Sequence, residues 1–189
     1  RGVNLWYNSG GLWNDISSTS VTGATLAAAA AVWVEDSIPL FTNSNISNSD
    51  NGIIVRHISE TTTRPTFLNT KVEDCQYRGI LVERLDHSNY SNLQTNAVFT
   101  GLEVRGTGGP DAKTPGLGIG AAFDVNTSGA KVTDAVIEDN AIVGFRAYTT
   151  DSSTSLSNIT IRNNGPEPPL NSHAGAGILS RSSTWPSNG

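Results

Sequence analysis

The stretch Asn69-Thr70-Lys71-Val72-Glu73-Asp74 carries the phrase that decides the fold, because similar phrases occur four more times along the chain. Each copy has an apolar β-branched residue, then a charged residue, and then Asp, Gly or Asn. The other four copies are Val32-Trp33-Val34-Glu35-Asp36, Leu102-Glu103-Val104-Arg105-Gly106, Val136-Ile137-Glu138-Asp139 and Ile159-Thr160-Ile161-Arg162-Asn163. Self-similarity at intervals of tens of residues is the signature of a repeat protein.

A second phrase, rich in glycine and apolar residues, follows four of these five copies. It reads Arg78-Gly79-Ile80-Leu81-Val82, Gly116-Leu117-Gly118-Ile119-Gly120, Val143-Gly144-Phe145-Arg146-Ala147-Tyr148 and Gly175-Ala176-Gly177-Ile178-Leu179-Ser180. Short segments that alternate in polarity and stop at a turn-forming residue are typical of β-strands. Asp, Asn and Gly at the end of the first phrase tolerate the left-handed backbone that a sharp corner requires.

The spacing of the first phrase predicts the size of the repeat. Its apolar anchors are separated by 38, 32, 33 and 24 residues, and they are Val34, Val72, Val104, Ile137 and Ile161. A unit of about 24 residues with two or three short strands, lengthened by loops, fits this series. We predict that the five anchors are buried and stacked in register. The outward residues that follow them should form one exposed column of Glu35, Glu73, Arg105, Glu138 and Arg162, with an extra repeat allowed in the first interval.

The two phrases together resemble those of the right-handed parallel β-helix of pectate-lyase-like proteins, over roughly residues 32–183. The resemblance implies an all-β fold, a right-handed single-stranded parallel β-helix. Lyases, hydrolases, epimerases, phage tailspikes and surface proteins share this architecture, so the fold alone does not indicate a function.

The length of 189 residues fits a single domain. We predict an N-terminal strand and cap region at 1–31 and the β-helix repeats at 32–189. Within the first region, Leu5-Trp6-Tyr7 and Leu12-Trp13 flank a glycine-rich turn and predict two strands. The alanine-rich run Leu26–Val32 fits a short helical plug and a strand lined with small residues equally well.

Two segments rich in glycine or proline, 106–115 and 163–174, follow the turn residue of their repeats and predict loops on one side of the molecule. The uncapped ends predict a segment of a longer or assembled protein. Stacked repeats without caps expose strand edges, so we expect further repeats or protein neighbours at both ends.

Composition narrows the possible partners. Charged residues make up 15% of the chain and the net charge is −5, which argues against a nucleic-acid-binding face. No apolar run is long enough for membrane insertion. Abundant Ser, Thr, Asn and Gly favour an extracellular or cell-surface location. The single cysteine, Cys75, is expected to be a buried structural thiol and not a nucleophile.

Four Asn-x-Ser/Thr triplets are candidate glycosylation sites of a glycoprotein, at Asn45, Asn89, Asn126 and Asn158. With 18 Asn and 41 Ser or Thr among 189 residues, chance alone would produce as many. Each site, if used, should lie on a loop.

The best candidate for catalysis is the segment Glu83-Arg84-Leu85-Asp86-His87, together with Arg56-His57 and Asp124. A β-helix lyase or hydrolase needs a base and acidic groups placed across a groove. Within the segment, Arg84, Asp86 and His87 are the candidate catalytic residues. The alternative, which the missing motifs favour, is a solvated corner with ordinary charges, since neither the paired-Asp motif of the hydrolases nor the Arg-x-Pro motif of the calcium lyases is present. His57, His87 and His173 lack metal-ligand spacing, so the sequence indicates no metal site and no cofactor.

Four aromatic residues are candidates for stacking on sugar rings, namely Trp6, Tyr7, Trp13 and Tyr90. The alternative is that Trp6 and Trp13 close the end of the core.

The repeats, the open ends and the lack of a recognisable catalytic set favour a structural or adhesive module of a fibre, filament or surface appendage that contacts polysaccharide. The rival is a polysaccharide lyase or glycoside hydrolase of pectate-lyase type. Acids clustered with Arg or Lys over one sheet would favour the rival, and a flat or covered face the structural role.

Overall fold

The computed structural model describes residues 2–6, 9–22, 29–58, 64–84, 96–108, 121–126, 128–148, 154–165 and 178–181. Within these ranges the protein consists of β-strands, bends and turns, without a helix. The strands are β1 (Val3–Trp6), β2 (Leu12–Asn14), β3 (Ser17–Thr19), β4 (Ala30–Glu35), β5 (Leu40–Thr42), β6 (Asn45–Ser47), β7 (Asn51–His57), β8 (Thr66–Leu68), β9 (Lys71–Glu73), β10 (Arg78–Arg84), β11 (Asn96–Thr100), β12 (Glu103–Arg105), β13 (Ala121–Asn126), β14 (Gly129–Glu138), β15 (Val143–Tyr148), β16 (Ser155–Arg162) and β17 (Ile178–Arg181).

These strands form two sheets in which the described pairings are all parallel. Sheet A has seven strands in the order β1-β4-β7-β10-β13-β15-β17. Sheet B has ten strands in two halves, the first with β2, β5, β8 and β11 and the second with β3, β6, β9 and β12. The longer strands β14 and β16 run through both halves.

The chain therefore visits sheet A, the first half of sheet B and the second half of sheet B in turn. One such passage is called a repeat below. Each strand pairs with the equivalent strand of the neighbouring repeats, so β1 pairs with β4, β2 with β5 and β3 with β6. The two strands expected in the N-terminal region are present, and they lie in different sheets.

Equivalent side chains of successive repeats fill the interior. In the first half of sheet B, the rings of Phe41, Phe67 and Phe99 stack with centroids 5.1 and 4.8 Å apart and interplanar angles of 4° and 7°. Trp13 continues this column at 6.0 Å from Phe41. Parallel register places like residues one strand spacing apart, so an aromatic residue that is repeated at one position stacks upon itself.

Left-handed residues form the corners, as the turn residues of the sequence predict. One ladder lies at the bend within sheet B and comprises Asp15, Asn43, Asn69, Gly101, Asp134 and Asn158. The other follows sheet B and comprises Ser20, Asn48, Asp74, Gly106, Asp139 and Asn163. All twelve have φ between 50° and 67°. Asn and Asp adopt this conformation more readily than other residues with a side chain. Their side chains also join successive corners, as Asn69 Nδ2 donates to Asn43 Oδ1 at 3.2 Å.

Four of the five predicted anchors form one column in the second half of sheet B. Val72, Val104, Ile137 and Ile161 are in register; the first three are buried and Ile161 is half-buried. The fifth assignment was wrong, because Val34 is buried in sheet A, where it pairs with Val55 and not with Val72. Ile46 takes its place, in register with Val72, and supplies the extra repeat in the first interval.

The predicted charge column is confirmed from Glu73 to Arg162 and wrong at Glu35, which lies in sheet A. Arg105 pairs in register with both Glu73 and Glu138. Glu138 forms ion pairs with Arg105 at 2.7 Å and with Arg162. Glu138 is buried, contrary to the prediction of a fully exposed column, because it is held between two long guanidinium side chains.

The alanine-rich run was expected to form either a helix or a strand. Its residues 30–32 belong to strand β4, and residues 26–28 lie outside the described residues. The two predicted loops begin at the same corner, where Gly106 donates to the carbonyl of Asp139 and Asp139 donates to the carbonyl of Arg162. Beyond residues 108 and 165 these segments also lie outside the described part.

Cys75 is buried against the core, and burial raises the pKa of its thiol to about 12. This confirms the structural thiol. The described residues contain no helix that is long and apolar enough to cross a bilayer.

Candidate functional site on the outer face of sheet A

Side chains of sheet A that point away from the core line up in two columns, since alternate residues of a strand face opposite sides. In register from β4 to β15, the first column is Trp33, Ile54, Leu81, Asp124 and Arg146. The second column is Glu35, Arg56, Glu83 and Asn126. Together they are called the outer face of sheet A.

The first column starts with an apolar cluster. Trp33, Ile54 and Leu81 are buried together with Ala30 and are separate from the main core. The guanidinium carbon of Arg56 lies 4.4 Å from the centroid of the Trp33 ring, within the range of a cation–π interaction. Trp33 Nε1 donates a hydrogen bond to Glu35 Oε2 at 3.2 Å. The indole therefore positions one cation and one anion of the second column.

Arg56 also joins two neighbouring strands by an ion pair. Its Nε donates to Glu83 Oε1 at 2.7 Å, and one of its terminal nitrogens contacts the same oxygen. The two residues are in register on β7 and β10, where opposite charges stabilise the alignment of the strands.

Asp124, on β13, is held between two arginines. Arg146 on the next strand donates from Nε to Asp124 Oδ1 at 2.9 Å and from a terminal nitrogen to Oδ2, the two-point geometry in which guanidinium binds carboxylate. Arg78 Nε donates to Oδ2 at 3.4 Å. The carboxylate is 1% exposed and each arginine side chain is 25% exposed. A carboxylate buried to this degree is destabilising unless it is paired, so the arginines compensate it.

His57 ends β7 and is buried beside Asp36, with 3.8 Å between Nδ1 and Oδ1. The pKa of His57 is lowered to about 4, chiefly by burial; the Asp36 carboxylate acts in the opposite direction and Arg84 contributes to the lowering. The imidazole is therefore neutral near pH 7. Asp36 Oδ1 accepts a hydrogen bond from the backbone N–H of Ile58 at 3.1 Å, which ties the carboxylate to the chain after β7.

The structure brings part of the proposed catalytic group together. Arg56, Glu83 and Asp124 share the outer face of sheet A, and Arg84 pairs in register with His57. Asp86 and His87 lie outside the described residues. The sequence thus indicated three charged residues of this face, but not the side chains that contact them.

Those missed partners are Trp33, Glu35, Arg78 and Arg146. A signal for three of them was present, since Gly52-Ile53-Ile54-Val55-Arg56 and Gly79-Ile80-Leu81-Val82-Glu83 are alignable stretches. Extending that alignment to Ala31–Glu35 and Gly144–Tyr148 places Trp33, Glu35 and Arg146 on the same face. Arg78 is not in either column and contacts Asp124 only through its long side chain, and an alignment of the sequence does not reveal such a contact.

The candidate glycan-binding residues are spread over two places. Trp6, on β1, is exposed and in register with Glu35, at the first end of the second column. Trp13 is half-buried and packs on the core, as expected for a residue that closes it. Tyr7 and Tyr90 lie outside the described residues.

Three of the four glycosylation candidates lie in strands, contrary to the expectation of loops. Asn45 begins β6, Asn126 ends β13, and Asn158 forms the bend in β16, where its Nδ2 donates to Asp134 Oδ1 at 2.6 Å. Asn89 lies outside the described residues.

The outer face thus carries charged side chains held in place by ion pairs and by the Trp33 indole. Its carboxylates already accept hydrogen bonds from neighbouring side chains. Among the residues that the structure describes, no three His, Cys, Asp or Glu side chains are grouped as a metal site requires. Comparisons with protein-family models, curated proteins and solved structures find no match to this chain.

Proposed function

We propose that the chain is a segment of a right-handed, single-stranded parallel β-helix that acts as a structural and adhesive module outside the cell or at the cell surface. It contributes to a fibre, filament or surface appendage and contacts polysaccharide. The succession of parallel repeats supports this proposal, because stacked repeats form elongated, regular surfaces.

The observation that carries the structural role is the pairing of the acids on the outer face of sheet A. Glu35 accepts a hydrogen bond from Trp33, Glu83 from Arg56, and Asp124 from two arginines. A general base must reach the proton that it removes, whereas these carboxylates are held by neighbouring side chains. These charges are therefore suited to align strands.

Binding without turnover tests this proposal. Purified protein is incubated with a panel of neutral and acidic polysaccharides, and both sedimentation with the polymer and release of shortened or unsaturated products are measured. We expect binding to at least one polymer and no products. Failure to bind any polysaccharide would refute the adhesive role.

A second candidate is a polysaccharide lyase or glycoside hydrolase of pectate-lyase type. The observation in its favour is that Arg56, Glu83 and Asp124 lie over one sheet with Arg78 and Arg146. An arginine near a carboxylate-bearing sugar could stabilise charge that develops during proton abstraction. Product release that is abolished by Glu83→Gln or Asp124→Asn, in variants that still bind the polymer, would make this the better reading.

A further inference from the structure

Large exposed apolar side chains are concentrated at one corner of the molecule. Within the described residues they are Trp6, Leu12, Ile38 and Ile58, with exposed fractions of 47%, 67%, 55% and 40%. Trp6 ends β1 of sheet A and Leu12 begins β2 of sheet B. Ile38 and Ile58 follow β4 and β7 of sheet A and precede the next strand of sheet B, so all four belong to the first three repeats. Single exposed apolar residues are ordinary, whereas several at one corner of the molecule indicate an interaction surface.

Backbone contacts place these residues side by side. The amide of Ile38 donates to the carbonyl of Ser9 at 3.0 Å, and the Ser9 hydroxyl donates to the carbonyl of Trp6 at 2.6 Å. Leu12 is in register with Leu40, two residues after Ile38. Trp6, Leu12 and Ile38 therefore form one surface, called the corner patch, and Ile58 extends it into the third repeat.

The ionisable side chains described at this corner are mostly buried. Glu35, Asp36 and His57 are buried, and Glu35 and Asp36 accept the hydrogen bonds described above. Among the described residues at this corner, Arg64 is charged and exposed. It precedes Pro65-Thr66, and the amide of Thr66 donates to the carbonyl of Pro39 at 2.9 Å. The corner patch thus combines an indole, three aliphatic side chains, a small Ser-Gly-Gly segment at residues 9–11 and one guanidinium at its border.

We propose that the corner patch binds an uncharged polysaccharide, by stacking the apolar faces of its sugar rings on Trp6 and the flanking aliphatic side chains. This inference rests on the proposed function and names the face and the ligand class. Pyranose rings carry C–H groups on their faces and hydroxyls at their edges. An exposed indole amid apolar side chains matches those faces, and Arg64 supplies donors for the hydroxyls. An acidic polymer would instead need several exposed cations, and among the described residues that form the patch Arg64 is the one exposed cation.

The test uses cellulose and chitin as neutral probes and polygalacturonate as an acidic probe, in sedimentation assays with the full chain. We expect binding to a neutral probe that salt hardly weakens, because ion pairs contribute little to it. Trp6→Ala should reduce the affinity about tenfold, the effect of removing an aromatic stack. Leu12→Ala should reduce it by a smaller factor.

Val136→Ala is the matched control, since Val136 is a half-exposed aliphatic residue on the outer side of sheet B, far along the chain from the patch. It should leave binding unchanged. Leu12 is so exposed that its truncation cannot disturb the core, so Leu12→Ala keeps the test valid if Trp6→Ala fails to fold.

Two outcomes would overturn the inference and leave the adhesive module intact. One is binding to polygalacturonate alone, lost at high salt and unaffected by Trp6→Ala. The other is binding to a neutral probe that is unaffected by Trp6→Ala and Leu12→Ala. Concentration-dependent self-association that these variants abolish would identify the patch as an interface between copies and would also overturn it. Absence of binding to any probe would instead reject the proposed function itself.

Discussion

At the scale of single residues, His57 makes stability depend on pH. Burial lowers its pKa from 6.5 to about 4, so between these values the unfolded chain binds a proton that the folded protein does not. Stability is therefore fully present above pH 6.5 and falls as the pH drops toward 4. We expect a loss of about 2 kcal/mol between pH 7.5 and pH 5 in urea unfolding.

The control for this prediction is His57→Gln, which cannot titrate in that range. Other histidines remain in the variant, so the difference between the two pH profiles isolates His57. Profiles that run parallel from pH 7.5 to 5 would mean that His57 is protonated to the same extent in the folded and unfolded states.

Gly79 shows how tightly successive repeats approach each other. A Cβ atom at this position would lie 2.7 Å from both the carbonyl oxygen of Ala122 and Cγ1 of Val104. The backbone carbonyl cannot move without disturbing the pairing of β10 with β13, so we expect Gly79→Ala to destabilise by about 1–3 kcal/mol. Gly10→Ala is the control, because its Cβ would meet nothing closer than 3.8 Å. Equal unfolding midpoints for the two variants would contradict this account.

At the scale of elements, the apolar side chains of β9, β12, β14 and β16 form one column, and the burial of each determines how much it stabilises the core. Ile137 is fully buried with neighbours on both sides, and Ile161, the same residue type in the same column, is half-buried on β16. Ile137→Ala should cost about 2–5 kcal/mol because it leaves a cavity. Ile161→Ala should cost clearly less in the same urea titration. Equal costs would show that β16 is covered as completely as β14.

The charge column on these strands predicts non-additive behaviour. Glu138 is buried and paired with both Arg105 and Arg162, so either arginine can compensate it alone. Arg105→Ala and Arg162→Ala should each have a small effect. The double variant should lose more stability than the two single losses together, because it leaves a buried carboxylate without a partner. Strictly additive losses in a double-mutant cycle would refute the shared role.

The sequence identifies the element type and most of the register, for a physical reason. In parallel pairing, equivalent residues share an environment, so Val72, Val104 and Ile137 keep the same chemistry and can be aligned by eye. Val34 was misplaced because Asp36, with φ of 45°, ends its strand of sheet A with the same left-handed turn that ends the strands of sheet B. Alternation and a turn residue show that a strand exists, but not which sheet it joins.

The candidate site was predictable only as far as it follows this register. Arg56, Glu83 and Asp124 could be grouped because their strands succeed one another. The contacts of Arg78 and Arg146 with Asp124 depend on long side chains that cross between strands, and no spacing in the sequence encodes those directions. Trp33 is buried although its position faces away from the core, and the alternation of polar and apolar residues does not predict this burial.

At the scale of the whole molecule, the strands on either side of residues 109–120 pair in register with their equivalents in neighbouring repeats. We expect deletion of residues 109–115 to leave the thermal unfolding midpoint nearly unchanged, since the free energy of closing a loop varies slowly with its length. The deletion spares Thr107, whose amide is bound by Asn140 Oδ1 at 2.9 Å, and so keeps the corner. A fall of many degrees would show that the segment is packed structure.

The pairing of each described strand with its equivalents in neighbouring repeats also bears on how such a chain can change over time. A gene segment that encodes one repeat could be duplicated in tandem, and the added copy would meet neighbours of the kind that β5, β8 and β11 already provide for one another. The added repeat would pair with its neighbours through the contacts that existing repeats already make. After loss of a repeat, the two repeats that flanked it could pair with each other in the same way. Length is therefore the property of this protein that mutation can alter most readily, and the reach of the molecule can be adjusted in steps of one repeat.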